Sequence, residues 1–215
     1  MSEWLGWHFL PANGRLANGD GRQVVAGETY TVQGEPVLCN RGLHASERAI
    51  DALRYAPGAV VCYVRLSGTI IEDGDKAVAT ERTVLAMADA TRMLHEFALW
   101  CAESALRDAG VTGERCWQAL TVKRCWLNGK ATDEELAAAW AAAEDAARAA
   151  AEDAAEAAAE AAAWAAAGAA ARAAAEAAAW AAAWAAAWAA AGDTQNTELE
   201  RRLRGLLGLE EGSDE

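Results

Sequence analysis

Between Thr132 and Gly192 almost every fourth residue is the only one that is not alanine, and this rhythm constrains the chain more than any other feature. Read at that interval, the run gives Trp140, Glu144, Arg148, Glu152, Glu156, Glu160, Trp164, Gly168, Arg172, Glu176, Trp180, Trp184 and Trp188 before Gly192. Alanine has the highest intrinsic helix propensity and Glu and Arg are good formers, so local preference alone predicts a helix over 132–192. Thr132 and Glu135 are spaced as a capping box, Asp133 and Glu134 suit the positive end of the helix dipole, and Gly192 reads as the stop. Such a rod reaches about 90 Å at 1.5 Å per residue. Gly168 inside it costs only ~1 kcal/mol, so the rod is expected to be continuous.

A four-residue repeat on a helix of 3.6 residues per turn rotates by about 40° per step, so the stripe winds and no single seam runs its full length. Locally, Trp180, Trp184 and Trp188 stay within about 80° of one another and form an aromatic ridge on the order of 600 Å². A patch of that size favours burial on a soluble protein. The sequence therefore predicts an interaction surface at Trp164, Trp180, Trp184 and Trp188, covered by a second copy of the chain or by another protein. Flanking alanines would let a partner helix approach closely.

Charge narrows the function classes. The net charge is -13 and there is no Lys/Arg-rich run, which argues against nucleic-acid binding. Nine carboxylates between Asp133 and Glu160 face only Arg148, the pattern of a solvated acidic helix face. The first ten residues contain Glu3 and lack a basic start and a long apolar core, so no signal peptide is read and the expected location is the cytoplasm. Five irregularly spaced cysteines without a C-x-x-C pair indicate neither a zinc site nor a disulfide framework, and no cofactor or metal is expected. The uncharged run 177–192 would span about 24 Å as a helix, short of the ~30 Å of a bilayer core, so no membrane span is expected.

Taken in order, the chain reads as an α+β protein: a small mixed α/β domain over 1–80, a helical connector over 81–131, the long helix over 132–192, and a short amphipathic helix with an acidic tail over 193–215. In the first segment Trp4 to Leu10 opens as an apolar stretch, strands are expected at 28–33, 37–40 and 60–71, and Ser46 is placed as the N-cap of a helix carrying Ala49, Ile50, Leu53 and Ala56. The Glu72-Asp73-Gly74-Asp75 turn lacks calcium-loop spacing and reads as a hairpin. Val84, Met87, Ala88, Leu94, Phe97 and Cys101 recur at helical spacing, with Gly110 as a terminator. A second helix, 116–127, closes at Asn128-Gly129.

The block Gly34-Glu35-Pro36 through Cys39, Arg41-Gly42-Leu43-His44-Ala45-Ser46, then Ala52-Leu53-Arg54-Tyr55 and Asp75-Lys76-Ala77-Val78-Ala79, resembles a family of domains of unknown function found in phage, prophage and bacterial proteins. The resemblance covers about the first 90 residues. It implies a compact α/β domain and a mobile-element setting, with host cytoplasm as the location if the chain is phage-encoded. The region from Phe97 to Arg148 is loosely similar to alanine-rich helical immunity proteins.

The order of His8, the Gly-Leu-His-Ala-Ser block with Tyr55, and a later Glu81 also loosely resembles ADP-ribosyltransferases. That resemblance implies a nicotinamide dinucleotide substrate held by His8, a buttress at Ser46 and a catalytic carboxylate at Glu81 beside an oxocarbenium-like centre. The aromatic neighbours usual in that family are missing here. A plainer reading of His44 is a half-buried imidazole bonding backbone at a strand-to-helix turn, and of Ser46 a helix cap. The leading expectation is a non-enzymatic structural or interaction protein associating through its tryptophan ridge, with the transferase as alternative.

Overall fold

The computed structural model describes residues 4–16, 20–143 and 191–209. The chain divides into two compact units, 1–94 together with 192–215, and 95–191. Trp164, Trp180, Trp184, Trp188 and Gly168 lie outside the described residues.

The first unit is built on an antiparallel sheet. Strands β1 (Trp4–Leu10), β2 (Thr29–Thr31), β3 (Leu43–Ala45), β4 (Val60–Asp73) and β5 (Lys76–Asp89) are joined by one short helix, α1 (Ala49–Arg54). The order is β1-β4-β5-β2, and β3 pairs with β5 further along the same edge as β2. The frame is the long β4–β5 hairpin, whose two-residue turn places Gly74 at φ 61°, a conformation that tight hairpin turns require and glycine accepts without strain. Its strands are rich in Val, Ile, Thr and Tyr, which suit a pleated, half-buried surface.

The sheet curls until its two ends touch. Just past β3, Ser46 exchanges two hydrogen bonds with Trp7 of β1: Trp7 N–H donates to the Ser46 carbonyl at 2.7 Å and Ser46 N–H donates back at 3.0 Å. Close approach at this seam requires glycine at position 6, because a Cβ there would lie 2.5 Å from the Ser46 carbonyl oxygen. Alternation along the strands sorts side chains to two faces. The concave face gathers Leu10, Tyr30, Leu43, Cys62, Val64, Leu66 and Val84. On the convex face Trp7 meets Tyr63 with ring centroids 4.9 Å apart.

A helix over 191–207 returns from the far end of the chain to complete this unit. Leu199 and Leu203 on it are fully buried, and the Arg204 guanidinium lies over the rings of Trp7 and Tyr63 at 5.9 and 5.4 Å. It also caps α1. The free amides of Ala49 and Ile50 donate to Glu200 Oε1 at 3.1 Å and Asn196 Oδ1 at 3.0 Å. Ser46, expected as that cap, is bound into the seam with Trp7 instead, and the N-cap position is Arg48 without a side-chain cap. Gly192, expected as a stop, lies inside this helix, whose actual terminator is Gly208 at φ 67°, with Leu209 N–H reaching the Arg204 carbonyl at 2.9 Å.

Two further expectations change. The segment from 81 read as helical is strand up to Asp89, because the long hairpin pairs it residue by residue with β4 and overrides the ambiguous periodicity of Val84, Met87 and Ala88. Residues 37–40 form a tight turn, with only an isolated bridge between Val37 and Arg41, in place of a strand.

The second unit opens in α2 (Thr91–Asp108), whose first turn belongs to the first unit, and continues with α3 (Glu114–Leu127) and a helix starting at 133. Gly110 and Gly129, at φ 63° and 65°, end α2 and α3 as the sequence indicates. Glu103, 8% exposed, is paired with Arg124 and lies 3.7 Å from Arg107, tying α2 to α3. The capping box forms as spaced: Thr132 N–H donates to Glu135 Oε2 at 2.8 Å and Glu135 N–H to Thr132 Oγ1 at 3.2 Å. Trp140 on that helix is 47% exposed. Among the described residues no helix is long and apolar enough to cross a membrane.

Candidate functional site

The curl of the sheet encloses a cavity of about 480 Å³, within the range of small-molecule sites. Its apolar lining includes Phe9, Leu10, Leu16 and Leu43, and its polar groups come from five places. His8 projects from β1, Arg82 from β5, and His44 from β3. The turn 37–42 supplies Cys39 and Arg41, while Tyr55 at the end of α1 and Lys76 at the start of β5 complete the mouth.

Arg82 is the decisive group. It is 1% exposed, and its Nη1 donates a hydrogen bond to the His44 carbonyl at 2.8 Å. Its Nε has no hydrogen-bond partner among the described residues. Burial pushes the guanidinium down to about 10, which still leaves it charged at neutral pH. Asp20, the carboxylate that lines the same cavity, is held by a two-pronged bond to Arg22 at 2.7 Å per contact, and that bond keeps its carboxyl below the usual range. Arg41, Lys76 and Arg82 therefore face the cavity against one already-paired carboxylate among the described residues, in a chain whose net charge is -13.

Both imidazoles here are neutral. Burial, then the Arg82 charge, drive the His8 pKa well below 6.5, and burial lowers that of His44. The His44 ring accepts the Cys39 N–H at Nε2, 3.1 Å away, and is bonded to the Gly42 backbone as well. From within β3 it holds the preceding turn 37–42, rather than the strand-to-helix turn that the sequence suggests. Gly42, at φ 130°, makes room for that turn: a Cβ there would lie 2.3 Å from Val78 Cγ2.

At the mouth the Lys76 ammonium lies over the Tyr55 ring, 4.6 Å from its centre, and hydrogen-bonds to the Cys39 side chain, which raises the lysine pKa. Tyr55 in turn donates to Asp75 at 3.0 Å. Cys39 is exposed and has φ 59°, a left-handed conformation uncommon for a residue with a side chain.

Of the residues that the sequence pointed to, His8 and Ser46 line the cavity. Glu81 does not join them. It follows Arg82 in strand alternation onto the opposite face, where it accepts a hydrogen bond from Ser67 at 3.0 Å. Arg82 itself escaped sequence reading, because a strand was read there as helix; with the strand in place, its position on one face with Val84 is visible in the alternation. The blocks behind the family resemblance converge in space: Cys39, His44, Tyr55 and Lys76 all meet at this cavity. Among the described residues no cluster of His, Cys, Asp or Glu could hold a metal ion.

Residues 16–96 match the family model described as a domain of unknown function (DUF7666). The match begins after β1 and ends in α2, so it takes in Cys39, His44, Tyr55, Lys76 and Arg82 but neither His8 nor the returning helix. No curated protein and no solved structure matches the chain.

Proposed function

We propose that the first unit is a binding module for a small organic anion, a carboxylate or phosphate ester with an apolar body, seated on Arg82. The supporting observation is a buried, charged guanidinium with an unsatisfied Nε–H lining a cavity of ligand size. An unpaired buried charge is costly, and an anion would relieve that cost through charge-assisted bonds. Apolar walls would take the rest of the ligand, and Lys76 and Arg41 would meet a second acidic group at the mouth.

Thermal melting in the presence of benzoate, inorganic phosphate and adenosine monophosphate tests this. A true ligand at a hundredfold excess over its dissociation constant stabilises the fold by about 2.7 kcal/mol. That gain is expected in the wild type and absent in Arg82→Met, whose own stability should equal or exceed wild type by about 1 kcal/mol because a buried unpaired charge is removed. Equal shifts in both proteins, or none with any anion, would refute the reading. The dinucleotide transferase alternative draws support from His8 and Ser46 lining one cavity, and Glu81 on the other face of the sheet weighs against it.

The alanine-rich segment fits an interaction arm, and the 47% exposure of Trp140 at its start supports that part of the reading. Resemblance of the amino-terminal blocks to phage and prophage domains supports a mobile-element origin. Light scattering across concentration should detect self-association, and Trp180→Ala combined with Trp184→Ala and Trp188→Ala should abolish it. A wild-type chain that stays monomeric at all concentrations would remove the second copy as partner.

A further inference from the structure

The mouth of the cavity joins three independent features. Cys39 presents an exposed thiol there. Lys76 lines the same mouth with its ammonium against that thiol, so an anionic molecule approaching the sulfur meets a positive charge. Deeper in the same cavity lies Arg82, buried and with no hydrogen-bond partner for its Nε–H among the described residues. The first two features suit attack by sulfur, and the third supplies an anchor for the molecule attacked.

Resting on the anion-binding reading, we infer that Cys39 is a covalent modification site, at which an anionic small-molecule disulfide is held by Arg82 and exchanges with the thiol. The Cys39 thiol gives its proton to water, and the resulting thiolate attacks one sulfur of the ligand. The ligand's sulfur–sulfur bond breaks, a new bond joins Cys39 to one half, and the other half departs as a thiolate. No outside oxidant is required, because the ligand is reduced as Cys39 is oxidised. Cys62 is no competitor: it is buried, and burial pushes its thiol up to about 12.

The test uses the full chain and two disulfide probes, the dicarboxylate 5,5′-dithiobis(2-nitrobenzoate), whose leaving thiolate is coloured, and neutral 2-hydroxyethyl disulfide, with peptide mapping to locate the adducts. The expected result is a fast phase of one thiol with the anionic probe, on the order of tenfold faster than Cys101, Cys116 or Cys125. That phase should vanish in Cys39→Ser, and in Arg82→Met the rate with the anionic probe should fall relative to the rate with the neutral probe. Two failures are distinguishable. If Cys39 reacts no faster than the other thiols while anions still stabilise the fold through Arg82, the covalent inference is overturned and the binding reading survives. If Cys39 reacts fast with both probes and Arg82→Met changes neither rate, the anchoring by Arg82 is overturned, and the binding reading loses support with it.

Discussion

A single histidine ties the cavity to the acid limb of stability. His8 has a folded pKa well below its ordinary 6.5, so below that pH the unfolded chain binds a proton that the folded chain refuses. Stability is therefore full above about pH 6.5 and falls as the pH drops beneath it, by up to about 1.4 kcal/mol per pH unit for one proton. His44, lowered in the same direction, adds to the slope. Urea unfolding between pH 7.5 and 5 should show a shallower decline for His8→Gln than for wild type; identical slopes would mean that His8 protonates freely in the fold. That His44 bonds backbone was legible in the sequence, but its place was not: it lies within β3 and holds the turn before that strand, not a strand-to-helix turn. The role of Arg82 was not, since helix and strand patterns overlap over 81–89 and only pairing with β4 decides which face an arginine takes. Glu81, singled out by the order of the transferase resemblance, adjoins Arg82 in β5, and neighbours in a strand point apart.

Among the elements, the helix over 191–207 closes the first unit with the buried Leu199 and Leu203. Its caps for Ala49 and Ile50 replace the serine cap that the sequence suggested, a substitution invisible to local reading because the partners are more than 140 residues apart. Asn196→Ala should cost about 1 kcal/mol, as loss of a helix cap does. Leu203→Ala, which empties a fully buried site, should cost 2 to 5 kcal/mol, roughly the range for core leucines. Denaturant midpoints measure both, and a change under about 0.5 kcal/mol for Leu203→Ala would show that the helix is not part of the cooperative unit. The local signals that did succeed, the Thr132–Glu135 capping box and the glycine stops at 110 and 129, involve partners within five residues. Local chemistry was readable; the seam, the cavity and the distant caps depend on tertiary pairing.

At the scale of the molecule, the unit that holds the cavity is discontinuous in sequence, 1–94 with 192–215. A fragment ending at residue 96 would retain the family-matched stretch yet lose Leu199, Leu203 and both caps of α1. It should melt without a cooperative transition, and the peptide 191–209 added in excess should restore one; a fragment that melts like the whole protein would count against this assembly. The same arrangement sets a schedule during synthesis. A nascent chain emerges from its amino end at roughly 5 to 20 residues per second, so β1 through β5 must wait several seconds, unfinished, for the residues that close them. Loop closure over such a separation is slow, and the waiting sheet exposes apolar surface while it lasts. Production of the intact protein in cells should accordingly depend on chaperone capacity more than its modest size would suggest.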